Sequence, residues 1–407
     1  MLGLLEQVAG NAFLPFSLNE TDTRLRSLRI AEAMARQLGI LPYAPGDMAT
    51  VTTTIGTTSR DYSTIVSWES DLDNGGVYSS GDDAVGECYN DSAFGNTSIT
   101  NINGGGTVGL NSIALTAASG EEHDGTAGSG ARMVLSSNNT IPIQSTGSID
   151  IEVSWLEIDA NGSGDDNYFM LNFDGPGTQV VQNNLIHDCS GSGEKAGIRF
   201  TQVSTEVRCT NNIVYDIVKS TGSGSANVYA LFLDLSSPSG KTLTIANNTV
   251  HNSTNNGSGT GHCEGLHIDT DHADIDLKNN LITGTTGDNS GTRVDFDATI
   301  SSTTTATNMS SDASSPDGAS YQSVTTADQY ESITGGSEDL HLKSGADAID
   351  AGTDLGTTPN NVEIDINGRD RDSNADTWDI GAHEFVSAGG GATVPIFHRH
   401  YQTMRLS

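Results

Sequence analysis

Short apolar runs alternate with turns of Gly, Ser, Thr and Asn through most of the chain, and one pattern recurs between residues 181 and 312. Each strong copy has two asparagines followed by two strand-forming residues, as in Asn183-Asn184-Leu185-Ile186. The other strong copies begin at Asn211, Asn247 and Asn279, a weaker copy begins at Thr307, and an earlier one contains Trp155-Leu156. The second Asn recurs after 28, 36 and 32 residues. A period of this size, built from strand-like pieces, predicts a solenoid.

Each repeat also contains a second apolar piece, such as residues 196–200 or 228–233, so a coil has two or three short strands. No single repeat can bury its own apolar face, whereas stacked repeats bury theirs and pair their backbone groups with the neighbouring coils. Asn tolerates the left-handed conformation of a tight corner, and a recurring Asn can form a ladder of side-chain amides. We therefore expect the Asn pairs to be corner residues rather than a row of ligands.

The repeated Asn-Asn-Leu-Ile pattern resembles the right-handed parallel β-helix proteins of the pectate-lyase-like class. Residues 55–64, which read Ile-Gly-Thr-Thr-Ser-Arg-Asp-Tyr-Ser-Thr and precede Trp68, are similar to the opening of many uncharacterised β-helix proteins. Residues 364–371 and 379–385 are similar to the final coil of such proteins. The resemblance implies an all-β protein with a right-handed parallel β-helix over residues 47–386, and it implies no particular activity.

Some stretches of the predicted solenoid are less regular than the central repeats. Residues 90–105 and 117–130 are expected to be long loops among the first coils, because Gly, Ser, Asn and charged residues dominate them. Residues 313–386 are expected to form terminal coils that close the stack.

The two ends of the chain differ from the predicted solenoid. Residues 1–46 form an N-terminal helical segment, whose helix begins near Asn19 to Asp22 and ends at Leu38, before Gly39. This segment either caps the solenoid or anchors it to another chain. Residues 387–407 combine a Gly linker with a short C-terminal tail that is apolar, aromatic and basic, which we interpret as an anchoring peptide. The predicted partner-binding residues are Arg24, Arg26, Arg29, Arg36, Phe397, Arg399 and Tyr401.

The charge of the chain limits its partners. There are 18 Lys and Arg residues against 52 Asp and Glu residues, for a net charge of −34. Such a surface repels nucleic acid and anionic membranes, so we expect neither as a partner. No apolar run is long enough to span a membrane, and residues 1–6 lack the features of a secretion signal. The four cysteines form no Cys-x-x-Cys pair, so we expect buried free thiols rather than a zinc site, although a disulfide between coils stays open.

A cluster of acidic residues around residues 264–276 is the best candidate for chemistry. Asp269 and Asp271 are spaced to project from one face of a strand, and Glu264 and Asp295 are expected one coil away. Paired carboxylates can hydrolyse a glycosidic bond or hold calcium. The resemblance adds no support, because the motifs of β-helix galacturonases are reduced to Gly261-His262-Cys263. We therefore predict no catalytic residue and no metal or cofactor, with calcium as the open alternative.

These observations favour a non-enzymatic virion structural protein of a bacteriophage. The solenoid would project from the particle as a head decoration protein or a tail fibre or spike, held to capsid or tail proteins by its terminal segments. The resemblance implies a homotrimer. Such a protein is made in the host cytoplasm and needs no signal peptide. The first alternative is a polysaccharide hydrolase or lyase that uses a pair from Glu264, Asp269, Asp271 and Asp295. The second is an adhesin that binds a host-surface glycan without cleaving it.

Overall fold

Three parallel sheets run side by side along the body of the chain, as the recurring apolar runs predict. The computed structural model describes residues 49–386, except for 97–99, 136–140, 163–167, 203–204, 223, 236–239, 270–273, 289, 298–303 and 375–376. Every neighbouring pair of strands within these three sheets is parallel, and each strand pairs with the equivalent strand of the next coil. The chain is therefore an all-β parallel solenoid, and the fold class expected from the repeats is confirmed.

The strands of each sheet follow one another along the solenoid axis in chain order. Sheet 1 consists of Thr50–Ile55, Asp83–Cys88, Ser112–Ala117, Asp150–Ser154, Gln179–Gln182, Glu206–Thr210, Thr242–Ala246, Ile275–Lys278 and Thr304–Ala306. Sheet 2 consists of Phe94–Asn96, Arg132–Leu135, Glu157–Asp159, Leu185–His187, Ile213–Lys219, Thr249–Asn255, Leu281–Thr283 and Met309–Ser310, with Cys189–Gly191 and Thr286–Gly287 beside them. Sheet 3 consists of Thr100–Ile102, Ile143–Ser145, Tyr168–Phe173, Lys195–Phe200, Val228–Leu233, Cys263–Ile268 and Arg293–Phe296.

A few elements lie outside the three sheets. They are the helices Ile65–Ser70 and Thr326–Gln329, the 3₁₀ helices Ala319–Tyr321 and Arg371–Asn374, and an antiparallel hairpin of Tyr330–Thr334 with Ser337–Leu342. The first helix is not predicted by the sequence pattern. It begins with a capping box between Thr64 and Ser67 and buries Trp68, whose Nε1 donates a 3.0 Å hydrogen bond to the hydroxyl of Tyr78.

Apolar side chains of all three sheets face inward and form one continuous core. In one coil Val181, Ile186 and Ile198 come from sheets 1, 2 and 3, and each is fully buried.

The prediction of a loop over residues 90–105 is wrong, because two three-residue strands lie there. These strands pair with the coil that follows, and that pairing outweighs their polar composition. All four cysteines are buried and free, as expected.

The second Asn of each pair forms a ladder inside the corner between sheets 1 and 2. The side-chain oxygen of Asn212 accepts hydrogen bonds from the backbone and side-chain nitrogens of Asn184, at 3.0 and 3.1 Å. The same contacts link Asn212 to Asn248, Asn248 to Asn280, and Asn280 to Asn308. At the end of the ladder the carboxylate of Asp317 accepts both bonds from Asn308. The expectation of corner residues that form an amide ladder is confirmed.

The first Asn of each pair lies at the outside of the same corner, in the left-handed conformation. Asn183, Asn211, Asn247 and Asn279 have φ between 53° and 56°. Their side-chain amides donate to backbone carbonyls of the C-terminal segment, residues 311–386. Trp155 and Thr307 occupy the equivalent positions in the outlying copies, with φ of 60° and 55°. The weaker copies identified in the sequence are thus genuine coils.

The C-terminal segment lies against the outer face of sheet 2. Leu185, Ile213 and Leu281 point outward from that sheet and pack against Leu342 and Ile380 in a second apolar cluster. The prediction that residues 313–386 form terminal coils is therefore wrong. The sequence of this segment is apolar enough for a coil, but its apolar side chains cover the outside of the solenoid instead of extending its core.

The predictions for the two ends of the chain concern residues outside the described part. The predicted N-terminal helix falls within residues 1–48, and the predicted linker and anchoring tail fall within residues 387–407. The predicted partner-binding residues Arg24, Arg26, Arg29, Arg36, Phe397, Arg399 and Tyr401 all lie in these two ranges. Among the helices of the described part of the chain, none has the length and apolar character that a membrane crossing requires.

Candidate functional site on the outer face of sheet 3

A bend in the strands of sheet 3 decides which side chains reach its outer face. A Cβ atom on Gly265 would lie 2.2 Å from Cγ2 of Ile282, on the core side of the sheet. The next residue, Leu266, is also fully buried. Because two consecutive residues face inward, Glu264 and His267 both face outward although they are three positions apart, and they form an ion pair.

Aromatic rings and cationic groups alternate along this face, one coil after another. The guanidinium carbon of Arg199 lies 4.6 Å from the ring centre of Phe169 and 5.4 Å from that of Phe232. The ring of His267 lies 5.2 Å from Phe232 and 4.8 Å from Tyr229. The strand register produces the row, since Arg199, Phe232 and His267 are direct cross-strand neighbours. The guanidinium of Arg199 is attracted to the faces of Phe169 and Phe232, which stabilises the row, while His267 meets Phe232 edge-on.

His267 is held between carboxylates. Its Nδ1 lies 3.1 Å from Oδ2 of Asp297 and also contacts Oε2 of Glu264, while Nε2 lies 3.9 Å from Oδ1 of Asp269. Burial disfavours the charged imidazole, but the hydrogen bonds to Asp297 and Glu264 favour it more strongly, so the pKa of His267 rises to about 9. At neutral pH the site therefore contains an imidazolium among three acidic side chains.

Further acidic groups form a rim around the aromatic rings. Asp234 pairs with Arg199 at 2.7 Å and its side chain is 37% exposed. The side chain of Asp269 is 59% exposed. Burial raises the pKa of Glu194, which lies at the edge of the same face. Burial and the neighbouring carboxylates of Glu264 and Glu194 also raise the pKa of Tyr229. The rim is polar and exposed to solvent, whereas Tyr229 and Phe232 are only 5% and 8% exposed. We call these residues the sheet 3 patch: Phe169, Glu194, Arg199, Tyr229, Phe232, Asp234, Glu264, His267, Asp269 and Asp297.

The structure unites some of the acidic residues predicted from the sequence and separates others. Glu264 and Asp269 both approach His267 in the sheet 3 patch. Asp295 does not join them. It lies opposite Gly265 in the neighbouring strand, and because Gly265 faces inward, Asp295 faces away from the patch as well. Its carboxylate accepts hydrogen bonds from the backbone and side chain of Ser311, both at 2.7 Å, and burial raises its pKa to about 6. Glu264 and Asp295 thus lie on neighbouring coils, as expected, but the carboxylate of Asp295 has other partners than the sheet 3 patch. Asp271 lies outside the described residues.

Of the ten residues of the sheet 3 patch, only Glu264 and Asp269 were singled out from the sequence, and His267 and Asp297, which complete the ion-paired cluster, were among those missed. The reason is that strict alternation along a strand places Glu264 and His267 on opposite faces, whereas the bend at Gly265 places them on the same face. Asp297 lies opposite His267 in the next coil, because the preceding residues, Leu266 and Phe296, are paired. The glycine between Glu264 and Leu266 was the available signal, because Gly in a strand often marks a bend.

Two groups of side chains in the described residues have the spacing of metal ligands. The groups are Glu264, His267 and Asp297, and Glu157, Asp159 and His187, and within each group one ligand atom per residue lies within 4.8 Å of the others. In the first group one nitrogen of His267 contacts both carboxylates. In the second group the two nitrogens of His187 have separate carboxylate partners. Burial lowers the pKa of His187, but hydrogen bonds to Asp188 and Glu157 outweigh burial and raise it to about 9.

Comparison of the chain with protein-family models, with curated proteins and with solved structures finds no match. The geometry of the described side chains is therefore the basis for any functional proposal.

Proposed function

We propose that the protein is a non-enzymatic β-solenoid that binds a neutral glycan along the outer face of sheet 3. The proposal is carried by one observation, the row of rings flanked by exposed carboxylates on consecutive coils. The half-buried ring of Phe169 offers apolar surface to the carbon skeleton of a sugar, and the acidic rim supplies hydrogen-bond acceptors for hydroxyl groups. Tyr229 and Phe232 are buried and support Arg199 and His267 from beneath. A repeating polymer suits a repeating surface, because each coil offers the next sugar unit a similar set of groups.

The charge of the patch selects among glycans. Glu194, Asp234 and Asp269 border the aromatic rings, and the whole chain carries a net charge of −34. A uronic acid or sulfated polysaccharide would be repelled by these groups. The two cations of the patch do not reverse this preference, because Arg199 pairs with Asp234 and His267 pairs with Glu264 and Asp297. A neutral or amine-bearing glycan is the ligand class that fits.

The arrangement around His267 favours binding over hydrolysis. A glycosidase needs one carboxylic acid that can donate a proton and a second carboxylate that acts as base or nucleophile. Glu264 and Asp297 instead share the imidazolium of His267, which holds both as hydrogen-bond acceptors. The patch therefore presents fixed acceptors rather than an acid and a base with separate roles.

Glycan-array binding of the full chain tests this proposal. We expect binding to neutral glycans, reduced tenfold or more in a double Asp234→Asn, Asp269→Asn variant, because both acceptors lie on the exposed rim. Asp276→Asn is the matched control, since Asp276 is a half-exposed carboxylate on sheet 1 that lies outside the sheet 3 patch. Equal binding by the double variant and the unmodified chain, or binding only to acidic glycans, would contradict the proposal.

A second candidate is a polysaccharide hydrolase, and the observation that favours it is the raised pKa of Glu194. A carboxyl group whose pKa is raised by burial can serve as a general acid, and Glu264, the second carboxyl group beside Tyr229, would be its partner. Release of reducing ends from a bound glycan would identify this activity. We would then expect Glu194→Gln and Glu264→Gln each to abolish release while binding persists. Binding without release supports the adhesin instead.

We also propose, from the sequence alone, that this binding face is carried on a bacteriophage virion. The basis is the apolar character of both ends beside an acidic body, with four Arg residues in residues 1–46 and a basic stretch in residues 387–407, and the likeness of the repeats to the pectate-lyase-like class. In this proposal the terminal segments attach a homotrimer to capsid or tail proteins, as a head decoration or a tail fibre or spike. Electron microscopy of the particle tests it. Copies that project from the particle with both ends buried would support it, and a free monomer in infected cells would contradict it.

A further inference from the structure

A second histidine with two carboxylates lies on the outer face of sheet 2. Glu157 and Asp159 belong to strand Glu157–Asp159, and His187 ends the equivalent strand of the next coil, directly opposite Asp159. The side chains of His187 and Glu157 are 2% and 1% exposed. Asp159 is half-buried, so the cluster reaches solvent on its side. None of these three residues belongs to the sheet 3 patch.

The imidazole of His187 is fixed on both of its nitrogens and on one face. Its Nδ1 lies 2.8 Å from Oδ2 of Asp188, and its Nε2 lies 3.2 Å from Oε1 of Glu157. The ring stacks on Tyr215 of the following coil, with centres 5.0 Å apart and planes at 4°. Histidines that bind metal ions commonly donate their other ring N–H to a carboxylate, which sets the tautomer and the ring orientation. In this cluster Asp188 is the carboxylate that accepts from Nδ1 of His187, so Nε2 is directed at Glu157.

Glu157 is also positioned from its other side. The backbone N–H of Gly128 donates to both carboxylate oxygens of Glu157, at 2.9 and 2.8 Å. Each carboxylate oxygen has two acceptor positions, so Oε2 keeps one for a further partner, whereas Oε1 also contacts Nε2 of His187 and gains one only when a metal ion replaces the proton on that nitrogen. One oxygen of Asp159 accepts from the backbone N–H of Asn161 at 2.6 Å. All three side chains are thus held by hydrogen bonds to the surrounding chain, as the ligands of a built site are.

We propose that Glu157, Asp159 and His187 bind a divalent transition-metal ion, with Zn²⁺ as the first candidate. Their ligand atoms lie within 4.8 Å of one another, so one ion can contact all three. A donor set of one imidazole nitrogen and two carboxylate oxygens suits Zn²⁺ and related first-row ions, whereas Ca²⁺ and Mg²⁺ prefer oxygen ligands alone. Three protein ligands leave a coordination position for water on the side of Asp159. The ion would join two consecutive coils on the face that the C-terminal segment covers.

Titration of the full chain with Zn²⁺ after treatment with a chelator tests the proposal, with calorimetry for Zn²⁺ and visible absorption for Co²⁺. The measurements use a His267→Gln background, because Glu264, His267 and Asp297 have similar spacing and would add a second ion. We expect one ion per chain in this background. Adding Asp159→Asn, which removes a ligand from the half-buried side, should weaken binding tenfold or more. Adding Asp188→Asn should weaken it by about 10–100-fold through the orientation of His187.

Two matched controls separate metal binding from folding. His251 lies in the same outward row as His187, two coils further on, and its Nδ1 contacts the hydroxyl of Thr283 at 3.2 Å. Asp216 is at the corner position equivalent to Asp188. We expect His251→Gln and Asp216→Asn to leave Zn²⁺ affinity unchanged. Each variant is compared in chelator by its unfolding temperature, so that a folding defect is visible. The proposal is overturned if no ion binds, or if Asp159→Asn and Asp188→Asn bind Zn²⁺ as tightly as the controls do.

Discussion

The two asparagines of each repeated pair are adjacent in sequence and identical in type, yet they belong to different parts of the structure. Asn212 is enclosed by the corner and bonds to the coils above and below it, and to Cys209 of its own coil. Asn211 turns the corner with φ of 56° and bonds outward, to carbonyls of residues 361 and 362 and to Arg371. The inner residue joins coil to coil, whereas the outer residue joins the solenoid to the C-terminal segment.

This difference means that one residue type serves two separate cooperative units. Loss of an inner Asn affects the stack along its axis, because each rung both donates to one neighbour and accepts from the other. Loss of an outer Asn affects the contact with residues 311–386, while the stack keeps its backbone pairing. The solenoid can therefore be weakened at the ladder or at its cover by substitutions at neighbouring positions.

We expect the largest effect from Asn212→Ala. The substitution removes the hydrogen bonds that its side chain donates to the carbonyl of Val181, to Oδ1 of Asn248 and to Sγ of Cys209, and the two that it accepts from Asn184. The backbone N–H of Asn184 is left buried without this acceptor, which costs about 1–3 kcal/mol, whereas Nδ2 of Asn184 and Oδ1 of Asn248 keep other partners, so those losses cost about 0.5–1.5 kcal/mol each. We predict a loss of about 4 kcal/mol in the free energy of unfolding, measured by urea denaturation. A loss below about 1 kcal/mol would show that the ladder is dispensable.

Asn211→Ala and Asn211→Gly probe the outer row with a smaller expected effect. Both remove the bonds to the C-terminal segment, but only Ala also places a Cβ in the left-handed conformation, at a cost of about 1 kcal/mol. We predict losses of about 2–3 kcal/mol for Ala and 1–2 kcal/mol for Gly. Limited proteolysis should cut residues 311–386 faster in both variants while the solenoid body stays resistant. Equal cleavage of body and cover would contradict the separation into two units.

The contact between Asp216 and Glu338 makes the cover of sheet 2 sensitive to pH. Burial and the nearby carboxyl group of Glu338 raise the pKa of Asp216 to about 6, although the hydrogen bond from Asn252 opposes this. The folded state then binds more protons than the unfolded state between about pH 4 and pH 6, so stability falls as the pH rises through this window.

Asp216→Asn removes this titration and should stabilise the protein by about 1–2 kcal/mol at pH 8, a figure reduced for the partial exposure of the site. At pH 4 we expect almost no difference between the variant and the unmodified chain. Asn is compatible with the left-handed backbone at this position, where φ is 53°. Urea denaturation at both pH values provides the measurement, and a variant that is equally stabilised at pH 4 and pH 8 would refute the carboxyl pair as the cause.

The sequence predicted the features that repeat and missed those that occur once. The Asn pairs and their period were sufficient for the solenoid, the corner and the ladder, since every copy carries the same local signal. The position of residues 311–386 has no such signal. Leu342 and Ile380 read as strand residues of another coil, and only the assembled outer face of sheet 2 provides the apolar surface that they cover.

The candidate site illustrates the same limit at the scale of single side chains. Glu264 and Asp269 were recognised because acidic residues cluster in the sequence. Two other charged residues of the sheet 3 patch, Arg199 and Asp297, lie two coils before and one coil after Glu264. Coils differ in length, so a register shift of a few residues decides whether these residues reach the same patch. The sequence showed which residues could take part in a site, but only the structure showed which of them are neighbours on successive coils.

Thr307→Asn tests whether the outer row prefers Asn at its last position, with the smallest expected effect. Thr307 adopts a φ of 55°, which is unfavourable for a β-branched residue, whereas Asn tolerates it. The substitution loses the hydrogen bond from the Thr307 hydroxyl to Asn279 and its contact with Thr353. We predict a net gain of about 0.5 kcal/mol in the free energy of unfolding, because relief of the backbone strain slightly exceeds this loss. A destabilised variant would mean that the hydroxyl contacts, rather than corner geometry, determine the residue at this position.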